Sequence, residues 1–319
     1  MPDLDTLPAA ELEERLATVR RQLDGKIPAV RRRRLGNEVH ALEERLAANL
    51  PAIERVRLAR DPNRPQTQDY IDALVTDFIE LHGDRRYADD GAIIAGMGYF
   101  GRRAVMVAGH QRGRSTNDRL KRNFGKPHPE GYRKAGRLFD LADRFRLPVI
   151  TFIDTQGAEP GVGAEERGQA EAIAANLELM ARLETPIISC VIGEGGSGGA
   201  LAMGVANVIL MLENACYSVI TPEGCAAILW RDGGPEKAAD AATALKLSAR
   251  DLLWLQVIDE IVPEPPGGAQ REPAHAIAEV GDALARHLRR LARTTPRELR
   301  RARERKFAAM GATTLIRAR

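Results

Sequence analysis

The residues best suited to chemistry lie at 193–199, which read Gly-Glu-Gly-Gly-Ser-Gly-Gly. Gly195, Gly196, Gly198 and Gly199 crowd into this one short stretch. The apolar, β-favouring run at 187–192 before them predicts a buried strand. Residues 200–206 predict a short buried helix, and 207–212 the next strand. A strand, a glycine turn and a helix start leave backbone N–H groups without intrahelical acceptors. Such donors can hold an anion or a developing oxyanion. Glycine lets a ligand approach the backbone where a Cβ would stand in the way. Three chemistries can be read on the same letters. Gly193-Glu-Gly195-Gly-Ser-Gly198 matches the dinucleotide fingerprint, with Glu213 about 20 residues on to hold a ribose. Gly195-Gly-Ser197-Gly-Gly199 matches the nucleophile elbow of hydrolases. The third is an oxyanion hole without a nucleophile. The plain alternative is a turn that packs a helix close to a strand.

The surrounding chain bears on the choice. Residues 148–153 predict another buried strand, ending in Asp154-Thr-Gln-Gly157-Ala-Glu-Pro-Gly161-Val-Gly163. A helix over 164–183 follows and opens with Glu165 and Glu166, acids suited to the positive end of a helix. Two strand–glycine loop–helix units therefore stand in succession. Right-handed crossovers place both strands in one sheet, so both glycine loops lie at its C-terminal edge and frame a pocket of backbone donors. A dinucleotide fold spends its first strand on the fingerprint, whereas here several strands come first. A hydrolase needs an acid and then a histidine after Ser197. His275, near Pro265-Pro-Gly-Gly268, is a poor place for that base, and the nucleophile is left without support.

The remaining elements must position these loops. Leu12, Leu16, Val19 and Leu23 repeat the spacing of Leu35, Val39, Leu42 and Leu46. With the turn signal Asp24-Gly-Lys-Ile-Pro28 between them, they predict an antiparallel helical hairpin. Arg31 to Arg34 read as a solvated or partner-facing helix start. Asp61-Pro-Asn-Arg-Pro65 marks a boundary. Tyr70, Leu74 and Phe78 predict a helix over 67–81, and the acid- and arginine-rich stretch 82–91 reads as a surface loop. Strands are expected at 92–99 and 103–109, turning at Phe100-Gly-Arg102. The segment 110–126 is long and basic for a connection. Its Arg112, Arg114, Lys121, Arg122 and Lys126 either receive an anionic, phosphate-bearing substrate or form a solvated helix face. A helix at 129–146 follows. Beyond the glycine turn come a strand at 215–220, a helix begun by Thr221-Pro222, a loop at 230–235, a Ser248-capped helix over 249–256 and a strand at 257–262. Ile277, Val280, Leu284, Leu288 and Leu291 predict an amphipathic helix. Thr295-Pro-Arg-Glu298 is a capping box opening a last helix. The charges of that helix, Arg303 and Lys306 among them, read as solvated or subunit-contacting.

Composition excludes some classes. With 319 residues and 44% of them hydrophobic, the chain can bury a substantial core. Lys plus Arg is 47 and Asp plus Glu 44, a net +3, which gives no general case for nucleic acid as a partner. No apolar run approaches a membrane span, and the N-terminus lacks a signal-peptide core, so a cytoplasmic protein is expected. Cys190, Cys216 and Cys225 show neither metal-ligand spacing nor a disulfide framework; no metal is expected on this chain.

Several motifs occur in a telling order: Gly83-Asp-Arg with Tyr87-Ala-Asp-Asp90, Gly109-His-Gln, Asn123-Phe-Gly with Pro129-Glu-Gly-Tyr-Arg-Lys-Ala135, Gly161-Val-Gly-Ala-Glu-Glu-Arg-Gly-Gln169, Gly193 to Leu201, and Tyr217-Ser-Val-Ile with Pro222-Glu-Gly-Cys-Ala226. Together they resemble the α subunits of bacterial acetyl-CoA carboxylase carboxyltransferases, from the N-terminal hairpin into the tail. Val257-Ile-Asp-Glu-Ile-Val-Pro263 looks like the strand that closes the wider crotonase-type fold. The resemblance implies an α/β fold, a crotonase- or ClpP-like spiral of ββα units. The expected division is a helical hairpin and linker at 1–65, a carboxyltransferase domain at 66–265 and a helical extension at 266–319.

The resemblance also implies a reaction: carboxyl transfer from carboxybiotin, tethered to a biotin carboxyl carrier protein, to acetyl-CoA. The product is malonyl-CoA, for fatty acid synthesis, and ATP takes no part in this half-reaction. The implied partners are a β subunit with a four-cysteine zinc ribbon, in an α2β2 assembly, and biotin carboxylase in the larger complex. Gly198 and Gly199 are implied as the oxyanion hole for carboxybiotin. Gly195, Gly196, Gly157, Gly161 and Gly163 are expected to bind substrate, with Arg114 and Lys126 as contacts to the phosphates of CoA. Two positions depart from the family's usual Asp-Thr-Pro-Gly-Ala-Tyr-Pro-Gly. Gln156 replaces the first proline and Glu159 the tyrosine. Glutamine restores an N–H and a free φ angle, so a softer loop is expected, and Glu159 puts charge where a ring is expected.

Overall fold

The computed structural model describes residues 9–23, 27–230 and 234–312. Residues 24–26 of the expected turn at 24–28 and 231–233 of the expected loop at 230–235 lie outside the described residues. Helices α1 (Ala9–Leu23) and α2 (Ala29–Ala48) form the hairpin that the leucine spacing requires, with Leu12, Val19, Leu35 and Leu42 buried between them. Arg31 to Arg34 are exposed. Helices α3 (Ala52–Ala59) and α4 (Thr67–Leu74) lead into the sheet. Strands β1 (Val75–Glu80), β2 (Ile93–Phe100) and β3 (Arg103–His110) pair antiparallel in sequence. Then follow α5 (Thr116–Lys121), α6 (Pro129–Arg144), β4 (Val149–Thr155), α7 (Val162–Glu166), α8 (Gln169–Arg182), β5 (Ile187–Gly196), α9 (Ser197–Leu201), β6 (Val208–Leu212) and β7 (Cys216–Ser218). The chain continues through α10 (Pro222–Leu229), α11 (Ala238–Ala244), α12 (Ala249–Trp254), β8 (Glu260–Val262), α13 (Pro273–Leu291) and α14 (Pro296–Ala309).

The main sheet runs β1-β2-β3-β4-β5-β6-β8, with β7 paired to β5. From the β3–β4 pair onward every strand-to-strand ladder is parallel, and Cys216 of β7 adds one isolated antiparallel bridge to Ser248. All residues of β4, β5 and β6 are buried, as parallel strands covered on both faces must be. Neighbours in a strand point to opposite faces. Accordingly Phe152 stacks on Tyr70 of α4, with ring centroids 5.1 Å apart. Thr151 beside it donates to the Met203 carbonyl just beyond α9, at 2.8 Å. The glycine turns thus sit on the face covered by α6 and α8, where Asn176 of α8 donates to the carbonyls of Tyr132 and Ala202.

Three expectations are corrected. The helix at 67–81 stops at Leu74, and Val75–Glu80 is an edge strand bulged between Thr76 and Ile79. β-branched Val75, Thr76 and Ile79 gain more from pairing with β2 than from a helix face. The helix at 164–183 is broken at Gly168, whose φ is 83°. The break lets Gln169 donate to the Pro127 and Glu159 carbonyls, at 2.8 and 2.9 Å. The charged last helix is not wholly solvated, since Arg303 is 1% exposed and its guanidinium serves the Leu183 and Thr185 carbonyls and Asn207 Oδ1. Lys306 also turns inward, to Asp259. The stretch 82–91 is tied down as well. Asp84 Oδ1 accepts three backbone N–H groups, and fully buried Lys134 donates to Asp89 Oδ1 at 2.7 Å.

One ion pair fastens the linker to the body. Arg64 and Glu264 meet at 2.7 Å with side chains 4% and 0% exposed, and Arg64 also donates to the Ile192 carbonyl of β5. Burial alone would raise the Glu264 carboxyl. Arg64 and the N–H groups of Asn214 and Ala269 outweigh burial and hold it below its ordinary value. Its contribution to stability is therefore present above the unfolded-state value, about 4.3 for Glu, and is lost as pH falls through the lower folded value. Arg64→Met should destabilise the chain by about 3–5 kcal/mol, because it leaves a buried carboxylate unpaired. Urea unfolding at neutral pH measures this, and a loss below about 1 kcal/mol, the size of an exposed pair, would contradict it.

Candidate active site

Strand β5 changes partners along its length. Ile188–Val191 pair with β6, whereas Glu194, Gly195 and Gly196 pair with β7. Gly195 also faces Thr155 at the end of β4. The strand is therefore longer than expected, and Gly193, Gly195 and Gly196 lie within it. A dinucleotide fingerprint needs its first glycines in an open turn facing pyrophosphate. Here that backbone is engaged with β7.

The chain leaves β5 through Ser197, whose φ of 51° lies in the left-handed region, a conformation costing a non-glycine residue about 1–2 kcal/mol. Ser197 is exposed. Among the described residues, no histidine is hydrogen-bonded to it: His82 pairs with Asp89, His110 with the Asp154 N–H and His287 with Glu260. His287 follows Ser197 in the chain as His275 does, and neither supplies a base. The turn has the backbone of a nucleophile elbow without its machinery.

What the turn does present is backbone. No side chain caps α9, so its first-turn N–H groups, those of Gly198 and Gly199 included, are left without intrahelical or side-chain acceptors. This turn presses on the loop after β4. A Cβ on Gly196 would drive into the Gln156 carbonyl. A Cβ on Gly199 would stand 2.6 Å from Ala158 N, 2.7 Å from Gly157 C and 2.9 Å from the Tyr132 hydroxyl. The structure therefore brings Gly157, Gly196 and Gly199 together. Gly198 is half-buried against Ile173 of α8. Gly161 is the N-cap of α7, and Gly163 is exposed in that helix. Arg114 is engaged with Asp69 on α4, while half-buried Lys126 stands in the loop tied to Glu159. These two are thus placed among different neighbours.

Charged residues that the sequence reading did not connect brace the site from below. Glu194 accepts from Arg60 at 2.7 Å and from Arg112 at 3.1 Å. Arg112 also pairs with Asp154 at 3.1 Å, and Asp154 accepts the Glu194 N–H at 3.0 Å. Burial raises the Asp154 carboxyl above its ordinary value, against the pull of Arg112. Arg60, Arg112, Phe124 and Gln156 line a cavity of about 290 Å³ beside the loop. A larger one, about 640 Å³, lies at the N-terminal ends of β4 and β5 around Pro148 and Pro186, away from both glycine turns. Arg112, Arg114 and Arg122 are paired with carboxylates, so the basic segment is largely neutralised within the chain.

Over residues 5–311 the sequence matches the family described as acetyl co-enzyme A carboxylase carboxyltransferase-like. The chain belongs to this family. A relative from Thermus thermophilus, an acetyl-coenzyme A carboxylase carboxyl transferase subunit alpha, is 53% identical over 312 residues, 96% of each chain. One of the same name from Gemmatimonas aurantiaca is 50% identical, covering 96% of this chain and 98% of that one. Among solved structures, the Pseudomonas malonate decarboxylase MdcD–MdcE heterodimer aligns with a TM-score of 0.59 at 17% identity, over 78% of this chain and 98% of that one. Transcarboxylase 12S aligns with a TM-score of 0.54 at 20% identity, over 72% of this chain. The chain spans 44% of that transcarboxylase's length. At these identities the structures attest the fold, and the expected crotonase-like α/β class holds.

The two departures from the family loop can be seen in place. Glu159 accepts from Asn123 Nδ2 at 2.8 Å and from the Gly161 N–H at 3.0 Å, and its own N–H donates to the Pro127 carbonyl. Asn123 and Phe124 hold φ values of 43° and 54°, so the carboxylate steadies a strained segment as well as its own loop. The Asn123 bond, ahead of the Gly161 N–H, His128 and Lys126, lowers the Glu159 carboxyl. The contact therefore persists above the ordinary carboxylate range and is lost as pH falls through the lowered value. Glu159→Ala should speed amide hydrogen exchange in 123–127 and 156–163 while leaving β4 and β5 unchanged. Unchanged exchange in both loops would show that the carboxylate does not hold them.

Proposed function

We propose that this chain is an α-type carboxyltransferase subunit that works with a β subunit to move a carboxyl group from carboxybiotin to acetyl-CoA, giving malonyl-CoA. The observation that carries the reading is the uncapped start of α9, pressed through Gly199 onto the Gly157–Ala158 backbone. Gly199 keeps the helix start against that loop, where any side chain would collide with the Gly157–Ala158 backbone. Gly198 and Gly199 hold the ureido oxygen through their N–H groups as negative charge develops on it. Such donors are preorganised, and removing one typically lowers the rate by about 10²–10³. Bound carboxybiotin supplies the carboxyl group and a basic nitrogen for the acetyl methyl proton, so no side-chain nucleophile is required. Gly195 and Gly196 keep the strand end narrow, and Gly157, Gly161 and Gly163 shape the facing loop. Arg114 and Lys126 contact the phosphates of CoA.

The reading includes a biotin carboxyl carrier protein as donor, biotin carboxylase in the larger complex, an α2β2 core, and zinc in the β subunit. Among the described residues, no group of three or more His, Cys, Asp or Glu side chains is arranged to hold a metal, and no helix is long and apolar enough to cross a membrane. We assign the assembly to the cytoplasm and divide the chain into a hairpin and linker at 1–65, a carboxyltransferase domain at 66–265 and a helical extension at 266–319.

The test is carboxyl transfer from malonyl-CoA to biocytin, followed as acetyl-CoA release. The chain alone should be inactive and the chain with a zinc-ribbon β partner active. Gly199→Val, which forces a side chain against the Gly157–Ala158 backbone and so displaces the turn, should abolish most activity even in complexes that still assemble. Silence of a properly assembled wild-type complex would sink the reading for malonyl-CoA and turn attention to other acyl-CoAs.

A further inference from the structure

His110 ends β3 and is fully buried. Its ring lies against two backbone carbonyls, those of Phe152 in β4 and Gly199 in α9. Nδ1 accepts from the Asp154 N–H at 3.4 Å. Nε2 is sealed from solvent and has no partner that meets hydrogen-bond geometry. A buried nitrogen left open in this way calls for an explanation, and the backbone of α9 offers one. The Ala202 N–H goes to the Gly198 carbonyl at 3.0 Å, and the Met203 N–H to that of Ala200 at 3.2 Å. The run of acceptors passes over Gly199, whose carbonyl is the one that faces His110. Burial, with Arg112 as the charged neighbour, pulls the His110 pKa down to about 4, so the ring is neutral at working pH. A neutral imidazole that accepts at Nδ1 carries its proton on Nε2.

We propose that His110 is a positioning residue for the glycine turn, its Nε2–H closing on the Gly199 carbonyl when negative charge develops in the site. The inference rests on the oxyanion-hole reading of Gly198 and Gly199. Contacts that serve catalysis are commonly long or poorly aligned in the empty protein and tighten around the reacting species. Gly199 is then held from two sides. The Tyr132 hydroxyl bounds its Cα, and His110 takes its carbonyl, which keeps the turn from rotating its N–H groups out of the crevice. His110 touches no substrate, and the effect falls on the rate step and not on CoA binding.

The test compares His110→Gln and His110→Asn in the reconstituted α–β complex, with malonyl-CoA and biocytin. A glutamine amide reaches the position of Nε2 and keeps the donor, whereas an asparagine amide reaches only that of Nδ1. His110→Asn should lower kcat by roughly 10–100-fold, by analogy with the outer-shell partners that orient metal ligands. The KM for malonyl-CoA should be unchanged, and His110→Gln should recover most of the rate. Equal activity of the two variants, whether high or low, overturns the proposal, as does a change confined to KM. Should neither variant assemble, ¹⁵N NMR of the histidine-labelled wild-type chain decides. The His110 ring, assigned by its absence from the spectrum of His110→Gln, should carry its proton on Nε2. A proton on Nδ1, donated to the Phe152 carbonyl, overturns the proposal. A wild-type complex that fails to transfer carboxyl would instead overturn the reading of the site itself.

Discussion

The site depends on one close approach between two stretches of backbone. The end of β5 and the start of α9 lie against the loop that follows β4, with the Gln156 carbonyl facing Gly196 and the Gly157–Ala158 peptide facing Gly199. No side chain fits between them. That constraint explains why glycine recurs here, why Ser197 is forced to a φ of 51°, and why the first turn of α9 carries no side-chain cap. The loop covers the start of α9 only in part, Ser197 being exposed and Gly198 half-buried. The first-turn N–H groups of α9 are left without intrahelical or side-chain acceptors.

Holding two loops at this distance requires a rigid base, and the base is electrostatic. Glu194, one residue before Gly195, is gripped by Arg60 from the linker and Arg112 from the segment after β3. Asp154 joins the same cluster from β4 through Arg112 and the Glu194 N–H. Four chain segments thus meet at the strand ends that feed the glycine turns. Surface ion pairs contribute little, but the Glu194 and Asp154 side chains are only 5% and 7% exposed. Arg112 bridges both carboxylates and Arg60 also reaches Glu223, so the charges support one another as a network. The linker is for this reason part of the site's support, although none of its residues reaches the crevice.

The sequence made the chemistry legible where it was local. The two strand–glycine loop–helix units, the capping box at Thr295 and Glu298 and the leucine seam of the hairpin all follow from neighbours within a few turns. What it hid was long-range. Glu194 sits in the glycine motif and reads as a turn residue until Arg60, 134 positions away, is seen beside it. Arg303 reads as one charge among many on α14 until its guanidinium is found capping carbonyls at the end of α8. Val75–Glu80 reads as helix because Tyr70, Leu74 and Phe78 share a period, yet sheet pairing overrides that period. His110 reads as the start of a basic loop, and only the parallel register of β3 and β4 puts it under Gly199.

At the two departures from the family loop, Gln156 and Glu159, the structure shows backbone and side-chain contacts of different kinds. Gln156 contributes its carbonyl and backbone to the contact with Gly196, and a carbonyl is present whether the residue is proline or glutamine. A few residues later the loop is held by side chains. There Glu159 bonds to Asn123 and the Gly161 N–H while Gln169 clamps the Glu159 carbonyl. The side chains around the crevice can change so long as the peptide planes do not move.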